Sequence, residues 1–266
     1  MASYPVIATD LDGTLFTTNQ TLTPYTIDTL HKAKKHGVTI VAVTARPPRT
    51  IDEWPILASV LDSAICSNGA IVYDPRSQIV EATKTMPVET ALATWKALTT
   101  ELPRLTVAIE TGFEVVAESA YLKKSSVGDK REIVASPAEV FSSAPQIVKL
   151  LVRDGAASAD ELLHAAREAQ LTGVELSHSG GSGLLEISAS GVSKAVTLAD
   201  WCALRGVGAE DVIAFGDMPN DVPMLEWAGR SYAVANAHSE ALATASALCD
   251  SNDDDGVARI IENLLS

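Results

Sequence analysis

Tyr4-Pro5-Val6-Ile7-Ala8-Thr9-Asp10-Leu11-Asp12-Gly13-Thr14 opens with a short apolar run that stops abruptly at two aspartates. Such a run reads as a buried strand whose C-terminal end opens into a polar loop. Thr23-Pro24 then offers an N-cap with proline at the first helical position. Ile27, Leu30 and Ala33 form an apolar stripe, and Gly37 closes the helix. Val38 to Val43 is a second apolar run, ending in Thr44-Ala45-Arg46-Pro47. Strand, helix and strand in this order make a βαβ unit, hence a parallel sheet with helices packed on it. Ligands collect at the carboxyl ends of the strands of such sheets, and both polar loops fall there.

Working outward, Ala64 to Ser67 reads as a third strand, Asn68-Gly69 as a tight turn and Ala70 to Tyr73 as the strand beyond it. From about Thr83 the rhythm changes. A helix over Val88–Leu98 precedes strands at Val107–Glu110 and Phe113–Ala117, then a loop-rich stretch and a strand at Ile147–Val152. A helix near Asp160–Ala169 and strands near Val174–Ser177 and Leu184–Ile187 complete this part. Strands so closely spaced predict an antiparallel or mixed sheet, hence a second domain inserted into the first. After Lys194 the α/β rhythm resumes: helix Ala195–Leu204, strand Val212–Phe215, loop Gly216-Asp217-Met218-Pro219-Asn220-Asp221, strand Tyr232–Val234 and helix Val257–Leu264. The predicted core is therefore 1–82 with 188–266, and the insertion 83–187. Asp253-Asp254-Asp255 reads as a short acidic turn.

The chain has 266 residues, 47% of them hydrophobic and 20% charged, which suits one large or two modest globular domains. A net charge of −14 disfavours nucleic acid and anionic membrane surfaces as partners. Lys32, Lys34 and Lys35 fall on one helix and read as a solvated face rather than a basic patch. Cys66, Cys202 and Cys249 show no ligand spacing and read as reduced thiols. The first residues lack a basic segment followed by a long apolar run, and no stretch is apolar enough to span a bilayer. A cytoplasmic protein is expected.

Asp10 and Asp12 stand at i and i+2 where a strand runs out. If extended geometry persists, both carboxylates point to one side. Two close carboxylates repel unless a cation lies between them, and hard oxygen ligands suit Mg²⁺. Asp217, Asn220 and Asp221 supply a second oxygen cluster at another strand end, with Asp221 equally placed to cap the following helix and Gly216 permitting close backbone approach. Thr44 offers a hydroxyl beside a helix start, suited to a phosphate oxygen or to capping that helix. Arg46 is balanced between site cation and surface cation. Lys194 opens a helix, against the helix dipole, which suggests pairing with an anion.

Asp10-Leu11-Asp12-Gly13-Thr14, Thr44, Lys194 and Gly216-Asp217-Met218-Pro219-Asn220-Asp221, in that order, closely resemble the four motifs of the haloacid dehalogenase-like hydrolases. Asn68-Gly69-Ala70, Ala233-Val234-Ala235-Asn236-Ala237-His238 and Ser251-Asn252-Asp253-Asp254-Asp255-Gly256-Val257 resemble their Cof-type (subclass IIB) branch of sugar phosphatases. The resemblance implies a Rossmann-like parallel-sheet core with an inserted α+β cap. It implies a Mg²⁺-dependent phosphatase of small phosphorylated metabolites, in which Asp10 is the nucleophile and Asp12 the general acid/base. Asp10, Asp12 (also through its backbone carbonyl) and Asp217 would hold the metal, Thr44 and Lys194 the phosphate and the Asp10 carboxylate, and Asn220 and Asp221 would orient the ligands, with Asn220 on the phosphate side. Ala45, Ala195 and Ala235 stand where the family often has glycine, which bears on substrate preference rather than chemistry. Glu114, Lys149, His178 and Ser179 are candidate leaving-group contacts, although His178 reads first as a surface-loop histidine.

Three other readings remain. A receiver-like phospho-acceptor module uses similar residues but predicts one small domain without an insertion. A phosphotransferase or phosphomutase shares the aspartyl-phosphate and differs in not releasing inorganic phosphate. A dinucleotide-binding dehydrogenase is disfavoured because no GxGxxG follows the first strand, and Gly180-Gly181-Ser182-Gly183 reads as a turn between cap strands.

Overall fold

The computed structural model describes residues 6–121, 130–180 and 183–266. Tyr4, Pro5, Gly181 and Ser182, read above as parts of a strand and a turn, lie outside the described residues. The first part of the chain forms β1 (Val6–Thr9), α1 (Pro24–Lys35), β2 (Thr39–Val43), α2 (Pro48–Ile51), α3 (Pro55–Val60), β3 (Ser63–Cys66), β4 (Ile71–Asp74) and β5 (Ile79–Thr83). Then come α4 (Val88–Glu101), β6 (Thr106–Glu110), β7 (Val115–Glu118), β8 (Arg131–Val134), α5 (Pro137–Ser143), β9 (Lys149–Arg153), α6 (Ala159–Glu168), β10 (Val174–Ser177) and β11 (Leu184–Ala189). The chain closes with α7 (Lys194–Ala203), β12 (Val212–Gly216), α8 (Val222–Trp227), β13 (Arg230–Val234), α9 (Ser239–Thr244), β14 (Ala247–Cys249) and α10 (Gly256–Leu265).

The core sheet has eight strands in the order β14-β13-β12-β1-β2-β3-β4-β5. The six from β14 to β3 run parallel, and β4 and β5 are antiparallel additions at one edge. β1 lies between β12 and β2, with Thr9 opposite both Phe215 and Ala42. Both faces are covered. Ile7, Ile40, Ala42, Ile213 and Phe215 pack on one side with Leu30 and Ile261. Val6, Ala8, Val41, Val43, Val212 and Ala214 pack on the other with Leu198, Trp201 and Leu225. Two-sided burial explains the near-continuous apolar runs of these strands. Each fully buried large side chain contributes roughly 1.5–3 kcal/mol.

Helix α1 starts as its sequence requires: the Thr23 hydroxyl accepts from the Thr26 amide at 3.0 Å. The same hydroxyl donates to Asp255 Oδ1 at 2.5 Å, and Thr26 donates there at 2.8 Å. The acidic turn thus brackets the start of α1 against the start of α10. Lys32 pairs with Glu262 at 2.9 Å and Lys34 with Asp62, so two of the three lysines on this helix are neutralised locally.

The chain between β5 and α7 forms a six-stranded sheet, β10-β11-β9-β6-β7-β8, antiparallel except between β7 and β8. One face carries α4, α5 and α6 over Val107, Ile109, Leu150, Val152, Leu185 and Ile187. The opposite face holds a smaller apolar group, Ala108, Val115, Ala117, Leu151 and Leu184. This is the cap. Thr83, placed by sequence at the start of the insertion, pairs with Ile71 in the core sheet. Ser188 and Ala189, placed in the core, pair with Glu175 and Val174 in the cap sheet. No described helix is long and apolar enough to cross a membrane. The three cysteines are free thiols, with Cys66 and Cys202 buried.

Candidate active site

The parallel register brings the loops after β1 and β12 side by side, and the Asp10 amide donates to the Phe215 carbonyl at 3.0 Å. Asp10 is 5% exposed. Lys194, first residue of α7, reaches in from the helix capped by Ser193. Its Nζ lies 2.6 Å from Asp10 Oδ1 and 2.6 Å from Asp221 Oδ1. The anion that its unfavourable dipole position suggested is therefore a pair of carboxylates. Asp221 Oδ2 accepts the amides of Asp217 and Met218 at 3.1 and 3.0 Å. It heads α8 without a side-chain capping bond; its carboxylate is spent on the loop and on Lys194 instead. Asp217 Oδ1 accepts the Thr14 hydroxyl at 2.7 Å.

Two glycines make this convergence possible. A Cβ on Gly13, at φ +75°, would meet Asp217 Oδ2 at 2.5 Å, and one on Gly216 would meet the Asp221 Cβ at 2.5 Å. Only residues without a side chain let the loops after β1 and β12 close this far.

Asp10, Asp217 and Asp221 each offer an oxygen within 4.8 Å of the others, the one such acidic cluster among the described residues. Three buried carboxylates face one buried ammonium. Burial pushes Asp10 well above the ordinary carboxylate range; Lys194 opposes this, and Asp221, Asp217 and Asp12 add to it. Burial, then Asp221, push Asp217 up to about 7, against the Thr14 hydrogen bond and Lys194. Burial also works against the Lys194 charge, yet Asp10 and Asp221 outweigh it and hold the ammonium above its ordinary value. The uncompensated negative charge and all-oxygen donor set fit a hard divalent cation.

Asp12 departs from expectation. Its side chain is outside the three-carboxylate cluster. Arg46 grips it instead, Nε to Oδ2 at 2.6 Å and Nη2 to Oδ1 at 2.5 Å. The reason is local backbone geometry. After Asp10 the chain does not stay extended: Leu11–Leu15 winds into a wide turn, with Phe16 N donating to Leu11 O at 2.8 Å and Gly13 left-handed. Strand alternation therefore stops at Asp10, and Asp12 turns toward the cleft under the cap. Arg46, left undecided by sequence, lines the cleft bound to Asp12 rather than lying free on the surface. Its guanidinium lies 4.7 Å from the Trp54 ring centre and 5.8 Å from that of Phe16.

Thr44 is fully buried, and its Oγ1 accepts the Arg46 amide at 3.1 Å. It does not cap the next helix, where Pro47 holds that position. Asn220 donates from Nδ2 to Asn68 Oδ1 at 3.1 Å, while its own buried Oδ1 has no hydrogen-bond partner among the described residues. Asn68, read in the sequence as half of a turn and as part of the Cof-type resemblance but not as a site residue, bonds both Asn220 and Glu186. An Asn-Gly pair directly after a buried strand was the available signal.

A cavity of about 270 Å³ separates core and cap, lined by Asp12, Arg46 and Arg49 below and by Glu110, Lys149, Ser179 and Glu186 above. Lys149 and Ser179 thus face it, whereas Glu114 and His178 do not line it. His178 is not a surface-loop histidine. It is 2% exposed, its Nδ1 accepts from the Gly180 amide at 3.3 Å, and its Nε2 lies 2.9 Å from Asp160 Oδ1.

A family model described as haloacid dehalogenase-like hydrolase matches residues 7–261. The pyridoxal phosphate phosphatase of Escherichia coli is 29% identical, over 96% of this chain and 97% of its own length. A 5-amino-6-(5-phospho-D-ribitylamino)uracil phosphatase of Bacillus subtilis is 27% identical over 98% of both chains. A crystal structure from Streptococcus mutans superposes with a TM-score of 0.85 over 99% of both chains at 22% identity, which shows the shared fold. Core sheet, inserted cap, ordered motifs and these matches along the whole length lead to one assignment: the chain belongs to the haloacid dehalogenase-like hydrolases, in their Cof-type branch.

Proposed function

We propose that this phosphoric monoester hydrolase is a Mg²⁺-dependent phosphatase that acts on compact phosphorylated metabolites, sugar phosphates foremost, through an aspartyl-phosphate on Asp10. The observation that carries the reading is the buried set Asp10, Asp217, Asp221 and Lys194, in which a single ammonium faces three carboxylates. Asp10 and Asp217 would hold the metal through their side chains, with Asp12 contributing through its backbone only and Asp221 acting mainly through Lys194. Bound there, Mg²⁺ would neutralise phosphoryl oxygens and the negative charge of the cluster.

In the first step Asp10 attacks phosphorus as the bond to the leaving oxygen breaks, and Asp12 delivers a proton to that oxygen. In the second, Asp12 takes a proton from water attacking the aspartyl-phosphate; inorganic phosphate leaves and Asp10 is restored. Lys194 opposes the burial that disfavours ionised Asp10, the bound metal would complete that compensation, and the Lys194 ammonium would face the phosphoryl oxygens. Thr44 Oγ1 and the Asn220 amide bind the remaining oxygens, and Arg46 fixes the direction of Asp12. A cavity of about 270 Å³ supports a small leaving group, and the relatives named above carry small phosphorylated molecules in their names.

Asp10→Asn tests the reading. The amide keeps shape and loses nucleophilicity, so phosphate release should fall on the order of a thousandfold or more with the melting temperature little changed. Substantial turnover by a folded Asp10→Asn variant excludes the covalent route.

A further inference from the structure

Glu110, Lys149 and Glu186 share the cap-sheet face turned away from the cap helices. Glu110 of β6 is directly opposite Lys149 of β9. Glu186 of β11 is opposite Leu151, two residues along β9 from Lys149, so alternation puts all three on one side. All three are under 5% exposed. Lys149 Nζ lies 2.5 Å from Glu186 Oε1. A buried ion pair is costly unless further hydrogen bonds satisfy it. Here those bonds go to the core: Lys149 Nζ donates to the Ala45 carbonyl at 2.9 Å, and Asn68 Nδ2 donates to Glu186 Oε2 at 3.1 Å. Arg49 adds two bonds to Glu110 at 2.7 and 2.8 Å.

The core partners are not scattered. Ala45 sits between Thr44 and Arg46. Asn68 donates its amide to the Thr44 carbonyl at 3.0 Å and accepts from Asn220 through its side chain. Ser67 and Asn68 hold φ of 53° and 58°, two successive non-glycine residues in the left-handed region. Such conformations persist only when the surroundings over-determine them, and the cap supplies part of those surroundings.

We propose that Lys149 and Glu186 are positioning residues for the phosphate-binding loops. The pair acts through the Ala45 carbonyl on the Thr44–Arg46 loop, and through Asn68 on Thr44 and Asn220. These loops reach working geometry only with the cap seated, so turnover depends on a cap ion pair that touches neither phosphorus nor Asp10. The inference rests on the phosphatase reading. It differs from a leaving-group contact, which would alter selectivity and spare a small generic ester.

The test uses the full chain with p-nitrophenyl phosphate and a hexose phosphate, and calorimetric binding of inorganic phosphate with Mg²⁺. Lys149→Met with Glu186→Leu removes both charges together, so that neither is left buried without the other. Asn68→Gly removes the relay while keeping the left-handed backbone accessible. Each should lower kcat on both esters by about ten- to a hundredfold, as loop misplacement does, with KM changed little, and should weaken phosphate binding by about tenfold. The triple variant should lose little more than the cap double variant, because that variant already breaks the path through Asn68. The proposal is overturned if kcat on p-nitrophenyl phosphate is unchanged while the hexose phosphate KM rises, or if the losses multiply. Asn68→Gly with full kcat overturns it even where the cap variant does not fold. An inactive wild-type protein would count against the phosphatase reading, and the phosphate affinities would still judge the loops.

Discussion

Asp10 and Asp217 carry carboxyl groups that the fold makes reluctant to ionise, since burial is the largest influence on both. In the metal-free chain they retain protons to a higher pH than in the unfolded state. Between the ordinary carboxylate value near 4 and about 7 for Asp217, the folded state binds more protons, so its stability falls as pH rises across that window. A bound divalent cation replaces those protons. Mg²⁺ should therefore raise the melting temperature more at about pH 8 than at about pH 5, where it competes with protons. Equal shifts at both pH values, measured by calorimetry, would argue against metal binding here. Arg46 poses a different question. Its two parallel bonds to Asp12 need a planar fork, which lysine lacks. Arg46→Lys should lower kcat by about tenfold or more despite conserving charge, and full kcat would dismiss the anchoring role. The sequence announced Asp10, Asp217 and Lys194 through their strand-end and helix-start positions. It misdirected Asp12, because alternation assumes an extended backbone that the Leu11–Leu15 turn interrupts.

Among the elements, those that bury both faces or carry an explicit cap were legible: β1, β2 and β12 as apolar runs and α1 from Thr23-Pro24; α6 was placed near Asp160–Ala169, and the structure adds a Ser158–Glu161 capping box at its start. The missed strands are edges. β5 exposes most of its residues, β8 leaves Ile133 55% exposed, and β14 has three residues. Their conformation comes from the ladder of a neighbour, which no local pattern records. Helices α3, α5 and α9 have only six or seven residues, too short for a 3.6-residue period to show. The turn after β1 offers a test at this scale. Gly13→Ala would force a left-handed residue, costing roughly 1–2 kcal/mol, and drive its Cβ against Asp217 Oδ2. Mg²⁺ affinity should fall along with stability. Intact affinity in a calorimetric titration would mean that Asp217 does not hold the metal.

For the whole molecule, what enters the site depends on how the two sheets face each other. The cap is seated on the core through Arg49–Glu110, Lys149–Ala45 and Glu186–Asn68, and through Gly180 packed on Met218, with a Cβ there falling 3.3 Å from its methyl carbon. His178 lies in the same region, its ring centre 6.2 Å from that of His238 on the core. With the cap so placed, a substrate held between core and cap beside Asp12 would need a leaving group that fits the cavity. The chain as a whole carries −14, so a polyanion meets repulsion before it meets the local cations Arg46, Arg49 and Lys149. Under the proposed phosphatase reading, both constraints would favour the same class of substrate: singly phosphorylated, compact and hydroxylated, packed in a cavity whose lining includes Leu151 and Leu184. Hexose and pentose phosphates should therefore be hydrolysed with higher kcat/KM than a phosphopeptide or an oligonucleotide with a terminal phosphate. The preference should persist at high ionic strength, because exclusion by the cap is steric, whereas repulsion is screened within about 10 Å at 0.1 M salt. If the oligonucleotide overtakes the sugar phosphates as salt is added, charge alone provides the selectivity; if either macromolecule is preferred throughout, the cap does not close over the substrate.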